Sequence, residues 1–210
     1  MPSAKARRAI ELRGLRREFG ERAALSGIDV ELAAGQTLAV LGPNGSGKTT
    51  LLRILAGLLR PSGGEAAVLG CPLPAETWRL RGRVGYLGHS PSLYRDLTPR
   101  ENLRLAARLH ALGEAGEARL AELLAAVGME ARADDRVAEL SAGMAQRIAA
   151  CMAVLHEPEL LLLDEPDSHL DEGGRELVGT VTGPAPGRTR VLVSHERKRA
   201  LAQADLALEL

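Results

Sequence analysis

The sequence predicts an α/β fold: a parallel-sheet core, an antiparallel β sub-domain and a helical sub-domain. Three observations predict it. Apolar residues near the N-terminus recur at period two with charges between them, as in strands with one wet face. Short all-apolar runs, Leu38-Ala39-Val40-Leu41 and Leu160 to Leu163, suit strands buried on both faces. Helical periodicity separates these runs, and strands alternating with helices build a parallel sheet covered on both sides. At 210 residues the chain reads as one domain, 1–210, and a hydrophobic fraction of 45% supplies its core.

The elements follow in order. Ile10 and Leu12, then Ile28, Val30 and Leu32, mark two or three antiparallel strands with turns at Phe19-Gly20 and Ala34-Gly35. Leu38 to Leu41 is a buried strand, Gly42 to Gly47 a loop, and Lys48 to Leu58 a helix with Leu51, Leu55, Leu58 and Leu59 at helical spacing. Pro61-Ser62-Gly63-Gly64 stops that helix. Strands are expected at Ala66 to Leu69 and Val84 to Leu87. From about Pro99 to His156 the chain reads as helical. Leu105, Leu109 and Leu112 form one face of it. Leu120, Leu124 and Val127 form a second, and Met144, Ile148, Cys151, Met152 and Leu155 a third. This block defines a helical sub-domain at about 90–156. Alternation then resumes: strand Leu160 to Leu163, helix Glu172 to Val181, strand Val191 to Val193, helix Glu196 to Ala202, and strand Ala204 to Leu210.

Composition narrows the function. Lys+Arg and Asp+Glu are 27 each, for a net charge of +0, which argues against a protein that coats nucleic acid. An aromatic fraction of 2% leaves little for a base-stacking surface. Two cysteines, Cys71 and Cys151, make neither a disulfide framework nor a zinc site, so a cytosolic chain is expected. Lys5, Arg7 and Arg8 could open a signal peptide, but Ile10-Glu11-Leu12-Arg13 breaks the apolar run one needs. No run approaches the ~20 apolar residues of a spanning helix. Lysine is confined to Lys5, Lys48 and Lys198 in an arginine-rich chain, which singles out Lys48 as a position where a compact charge matters.

Gly42-Pro43-Asn44-Gly45-Ser46-Gly47-Lys48-Thr49 fits G-x-x-x-x-G-K-[ST] at every fixed position. Glycines let the backbone curl so that N–H groups converge on phosphate oxygens. The helix behind them adds the positive end of its dipole. Lys48 is placed for the β- and γ-phosphates of a nucleotide, Thr49 for Mg²⁺, and Thr50 joins the same cradle. Asp164 and Glu165 end the apolar run at 160–163, at the carboxyl end of a parallel strand where ligands bind. Asp164 is suited to the Mg²⁺ shell and Glu165 to polarising a water. Ser141 taken alone is only a helix N-cap.

Together these segments resemble the ATP-binding cassette (ABC) ATPases. Leu140-Ser141-Ala142-Gly143-Met144-Ala145-Gln146-Arg147 resembles the L-S-G-G-Q-x-Q-R signature, departing from it at Ala142 and Met144. The resemblance implies further roles. Phe19 sits where an aromatic stacks on adenine. Ser168-His169-Leu170-Asp171 looks like the D-loop, making Asp171 a nucleotide-site residue. Val193-Ser194-His195-Glu196 looks like the switch segment, in which His195 contacts the γ-phosphate. His89 stands in the Q-loop, where most of these ATPases have Gln, and takes that residue's catalytic and metal-side role. The implied enzyme is an ATPase that uses ATP and Mg²⁺. It would work as a head-to-tail dimer in which Ser141 and Gly143 of one copy close on the γ-phosphate held by Lys48 of the other. Integral membrane subunits would be its partners, and the cytoplasmic face of the inner membrane its peripheral location.

Tyr86-Leu87-Gly88-His89-Ser90-Pro91 resembles the ATP-binding subunit of the haem exporter of cytochrome c biogenesis, the CcmA type. A drug- or polysaccharide-type exporter subunit with a drifted Q-loop stays open as the alternative. A soluble cassette of DNA repair or translation fits less well, because no coiled-coil insertion or second P-loop is present. A GTPase would need a guanine-reading lysine that the chain lacks.

Overall fold

The computed structural model describes residues 7–210; Lys5 lies outside them. Strands β1 (Arg8–Phe19) and β2 (Arg22–Ala33) form a long hairpin, and β4 (Gly63–Val68) and β5 (Cys71–Leu73) extend it to a sheet of order β2-β1-β4-β5. The second sheet has the order β6-β7-β8-β3-β9, from β3 (Thr37–Leu41), β6 (Val84–Leu87), β7 (Leu160–Asp164), β8 (Thr189–Val193) and β9 (Leu206–Glu209). Its strand pairs are all parallel. The helices are α1 (Lys48–Leu55), α2 (Pro99–Leu109), α3 (Gly113–Ala126), α4 (Ala142–Val154), α5 (Glu172–Thr182) and α6 (Arg197–Ala202).

Period two divides the parallel sheet between two cores. In β7, Leu160 and Leu162 face α1 and the antiparallel sheet, while Leu161 and Leu163 face α2 to α5. Leu38 and Val40 of β3 join the first core, and Ala39 and Leu41 the second. A strand with apolar neighbours on both faces must be apolar throughout, which is why these runs were visible in the sequence.

Several expectations need correction. Helix α1 ends at Leu55, not Leu58, because the chain turns at Gly57, whose φ is +72°. Leu58 is thereby left 66% exposed. The stretch at 99–156 is not continuous: Ala111 and Gly113 adopt positive φ, and two short 3₁₀ turns, Glu130–Arg132 and Val137–Glu139, separate α3 from α4. In α2 the buried face is Leu103, Ala106 and Ala107, so Leu109 is 79% exposed rather than core. Strand β5 was not foreseen.

Helix α2 begins at a capping box, with Thr98 Oγ1 accepting from the Glu101 N–H and Pro99 in the first turn. The fully buried Asn102 ties this start to the preceding loop. Its Oδ1 accepts from the Tyr94 N–H at 2.9 Å, and its Nδ2 donates to the carbonyls of Tyr94 and Thr98.

Candidate functional site

Strands β3, β8, β7 and β6 lie side by side and run the same way, so their carboxyl ends form one rim. The glycine loop leaves β3, Glu165 follows β7, Ser194 and His195 follow β8, and His89 follows β6. A parallel sheet thus gathers four distant segments at one edge. A cavity of about 600 Å³ opens there, lined by Asn44, Gly45, Gly47, Lys48, Thr49, Thr50, His89, Glu165 and His195, with Phe19, Arg22 and Ala24 from the β1–β2 hairpin.

Gly47 caps α1 with φ +102° and no side-chain hydrogen bond, so the first N–H groups of the helix lack a capping side chain. A β-carbon at Gly47 would lie 2.3 Å from the Ala24 carbonyl oxygen, and only glycine fits where the loop meets the hairpin. Lys48 is buried, and its Nζ donates to the carbonyls of Gly42 and Pro43 at 2.8 Å each, which curls the side chain over the loop. Ser46 Oγ is buried with no protein partner. Free helix-start donors, a folded-back ammonium and an orphaned hydroxyl fit a polyphosphate.

Thr49 Oγ1 donates to Asp164 Oδ2 at 2.8 Å. Burial pushes the Asp164 carboxyl above the usual carboxylate range, and the Thr49 hydroxyl offsets part of that shift. No group of three or more His, Cys, Asp or Glu that could cage a metal occurs among the described residues. One hydroxyl and one carboxylate suit Mg²⁺, which keeps waters and phosphate oxygens in its shell.

Glu165 has φ +55°, a left-handed conformation that a residue with a side chain adopts at a cost of ~1–3 kcal/mol. Its N–H still donates to the Val193 carbonyl, which keeps the turn on the sheet. The carboxylate lies between two imidazoles: His195 Nε2 is 2.5 Å from Oε1, and His89 Nδ1 is 3.3 Å from Oε2.

Phe19 is half exposed at the end of β1, and the Arg17 guanidinium stacks over its ring at 4.4 Å. Six residues expected at the nucleotide do not line the cavity: Gly42, Pro43 and Ser46, which lie within the glycine loop itself, and Ser141, Gly143 and Asp171, which lie on other elements. Ser141 caps α4, accepting from the Met144 N–H at 3.2 Å. Gly143 lies against the backbone of His169, whose carbonyl would be 2.7 Å from a β-carbon there. Asp171 caps α5 by accepting from the Gly174 N–H at 2.8 Å. Arg22 went unnoticed in the sequence. Its guanidinium reaches over Gly45 only because the hairpin folds back onto the loop, and no local pattern signals that.

Comparison with known proteins agrees with this geometry. Residues 25–168 match the family described as ABC transporter. A daunorubicin resistance ATP-binding protein of Streptomyces coeruleorubidus is 40% identical over 188 residues, covering 89% of this chain and 60% of that protein. A Nod factor export ATP-binding protein I of Rhizobium meliloti is 34% identical over 208 residues, covering 98% of this chain and 62% of that protein. The chain therefore spans about three fifths of these relatives. A solved ATP-binding subunit of an ABC transporter superposes with TM-score 0.86 at 31% identity, over 96% of this chain and 85% of that one. A dimeric ATP-binding cassette in a post-hydrolysis state, bound to ADP and Pi, superposes with TM-score 0.84 at 26% identity, over 96% and 94%. The chain belongs to the ABC transporter family, with the fold of its ATP-binding cassettes.

Proposed function

We propose that the chain is the ATP-hydrolysing subunit of a membrane exporter, working as a head-to-tail dimer on integral membrane subunits. The observation that carries this reading is Glu165, a shielded carboxylate held by two histidines at the rim of the phosphate cradle. The N–H groups at the start of α1 and the ammonium of Lys48 bind the β- and γ-phosphates of ATP, and Phe19 offers its ring to adenine. Thr49 and Asp164 hold Mg²⁺, which when bound neutralises charge on the phosphate oxygens. Glu165 orients the attacking water and accepts its proton, while His195 steadies Oε1 and reaches toward the γ-phosphate. Water adds to the γ-phosphorus, the bond to the β,γ-bridging oxygen breaks, and ADP and phosphate leave.

Ser141, Gly143 and Asp171 lie outside the cavity, and a second copy is the means of bringing them to it. The start of α4 is a helix N-terminus suited to an anion, and burial between copies excludes water from the γ-phosphate. The dimeric form of a similar cassette supports this assembly.

For the membrane partner, a groove of about 270 Å³ beside the Q-loop is lined by Tyr86, Leu93, Tyr94, Leu105 and Met152, among others. It supports docking of an apolar segment from an integral membrane subunit. Among the described residues no helix is long and apolar enough to cross a membrane. Peripheral attachment at the cytoplasmic face of the inner membrane belongs to the same reading, and nucleic acid is not among the partners it names.

The cargo reading is haem export in cytochrome c biogenesis, supported by the run Tyr86-Leu87-Gly88-His89-Ser90-Pro91. A second reading, a drug- or polysaccharide-type exporter subunit, is favoured by the printed names of the relatives, daunorubicin resistance and Nod factor export. Purifying the tagged chain from its own membranes separates the two. Co-purification of a haem-handling membrane protein is the expected result, and recovery of an antibiotic or oligosaccharide permease instead replaces the cargo. Absence of steady-state ATP hydrolysis by the recovered complex with Mg²⁺ overturns the ATPase reading itself.

A further inference from the structure

We propose that His89 is a positioning residue that fixes the carboxylate of Glu165 from the side opposite His195. The inference rests on the ATPase reading and names the control of its base. Glu165 follows β7, the strand between β6 and β8, so one imidazole arrives from each flanking strand. His195 Nε2 takes Oε1 at 2.5 Å and His89 Nδ1 takes Oε2 at 3.3 Å. Both ring nitrogens thus stand at ion-pair distance from the carboxylate, one on each oxygen, and the Ser168 hydroxyl donates to Oε2 at 3.5 Å. With an imidazole facing each oxygen, turning the carboxylate would break both contacts.

Exposure distinguishes the partners. The Glu165 side chain is 19% exposed, but the His89 and His195 rings are 59% and 51% exposed. The carboxylate is fixed in the rim, whereas His89 rides on a surface loop and can withdraw without disturbing the core. That loop is anchored further on, where Asn102 brackets Tyr94 and Thr98 and where the Arg95 and Leu97 carbonyls accept from the Ala138 and Val137 N–H groups. His89 thus bears on the orientation of Glu165 through one ring nitrogen.

The test uses the full chain in complex with its membrane subunits. Steady-state ATP hydrolysis is measured for wild type, His89→Ala, His89→Gln, Glu165→Gln and the His89→Ala/Glu165→Gln double variant, with ATP and Mg²⁺ each titrated. The expected result is a kcat loss of ~10-fold or more for His89→Ala, below the full ~10²–10⁴ of a general base. Its KM for ATP and its Mg²⁺ half-saturation stay within ~2-fold of wild type, because binding is untouched. His89→Gln restores most of the rate, since its amide N–H can replace the imidazole donor. The double variant is no slower than Glu165→Gln alone, as for groups that act as one unit. The proposal is overturned by an unchanged kcat in His89→Ala, by a loss that added Mg²⁺ reverses, by failure of His89→Gln to recover, or by additive losses. Wild-type turnover in Glu165→Gln would instead overturn the ATPase reading of that residue, whatever His89 does.

Discussion

Thr49 and Asp164 are joined by a 2.8 Å hydrogen bond that ties the first turn of α1 to the last residue of β7. The bond links the segment proposed to bind phosphate to the strand that carries the acids, and it places hydroxyl and carboxylate side by side. Thr49→Val removes the hydroxyl and keeps the shape. Its Mg²⁺ half-saturation in ATP hydrolysis should rise ~10-fold, the scale on which a metal ligand or its supporting group acts. Asp164→Asn should raise it further and lower kcat as well. If both variants saturate with Mg²⁺ as wild type does, this pair does not hold the ion.

Glu165→Gln keeps the side chain's size and removes the base. Turnover should fall ~10²–10⁴-fold, with ATP affinity changed little, because the role proposed for the residue is on the attacking water rather than on the phosphates at rest. The nucleotide-loaded variant should accumulate as a dimer in size-exclusion chromatography with Mg²⁺. A monomer at every concentration, even with the membrane subunits present, contradicts a shared site.

Two glycines far from the site predict stability changes of opposite sign. Gly85 lies in β6 against the end of α4, and a β-carbon there would meet the Ala153 carbonyl oxygen at 2.1 Å and Pro158 Cγ at 2.9 Å. Neither partner is a flexible side chain, so Gly85→Ala should cost ~1–3 kcal/mol by overpacking. In a chain of this size that lowers Tm by roughly 2–12 °C. Gly179, inside α5, has nothing within 4 Å of its β-carbon position. Gly179→Ala should gain ~0.5–1 kcal/mol from helix propensity alone. Thermal melts of the two variants in parallel check the pair, and equal shifts would contradict the packing described here.

How far the sequence revealed this molecule depended on which force set each feature. Strands β3, β6 and β7 were legible because strands covered by core on both sides leave little choice but apolar residues. The curled loop at 42–47 was legible because its backbone curvature demands glycine at fixed spacing, with positive φ at Gly42, Gly45 and Gly47. The buried face of α2 was misassigned because leucines outweigh alanines in any hydrophobic pattern, yet Leu103, Ala106 and Ala107 face the core and Leu109 does not. Strand β5 escaped notice because three residues centred on Pro72 carry no period. In the site, motif order identified Glu165, His89 and His195 separately. Their clustering arises from the order of β6, β7 and β8 in the sheet, which no single motif encodes. Arg22 at the cavity wall was hidden for the same reason.

The His110–His156 pair predicts an acid sensitivity. The two rings stack with centroids 3.9 Å apart and planes 3° from parallel, and His156 Nε2 lies 3.2 Å from the Val84 carbonyl oxygen. Burial, then the neighbouring His110, push the His156 pKa down to about 4, and burial also lowers that of His110. An unfolded chain would protonate His156 near pH ~6.5. Between that value and about 4 the unfolded state binds more protons, so stability falls as pH falls through this window. His156→Phe keeps a flat ring over His110 and cannot be protonated. It should cost ~1 kcal/mol at neutral pH through the lost contact with Val84. Its Tm should then decline less than that of wild type from pH 7 to pH 5 (~1.5 pH units of that span lie inside the window). Parallel melts at several pH values decide the matter: the same decline in both proteins would mean that the stack does not hold His156 neutral.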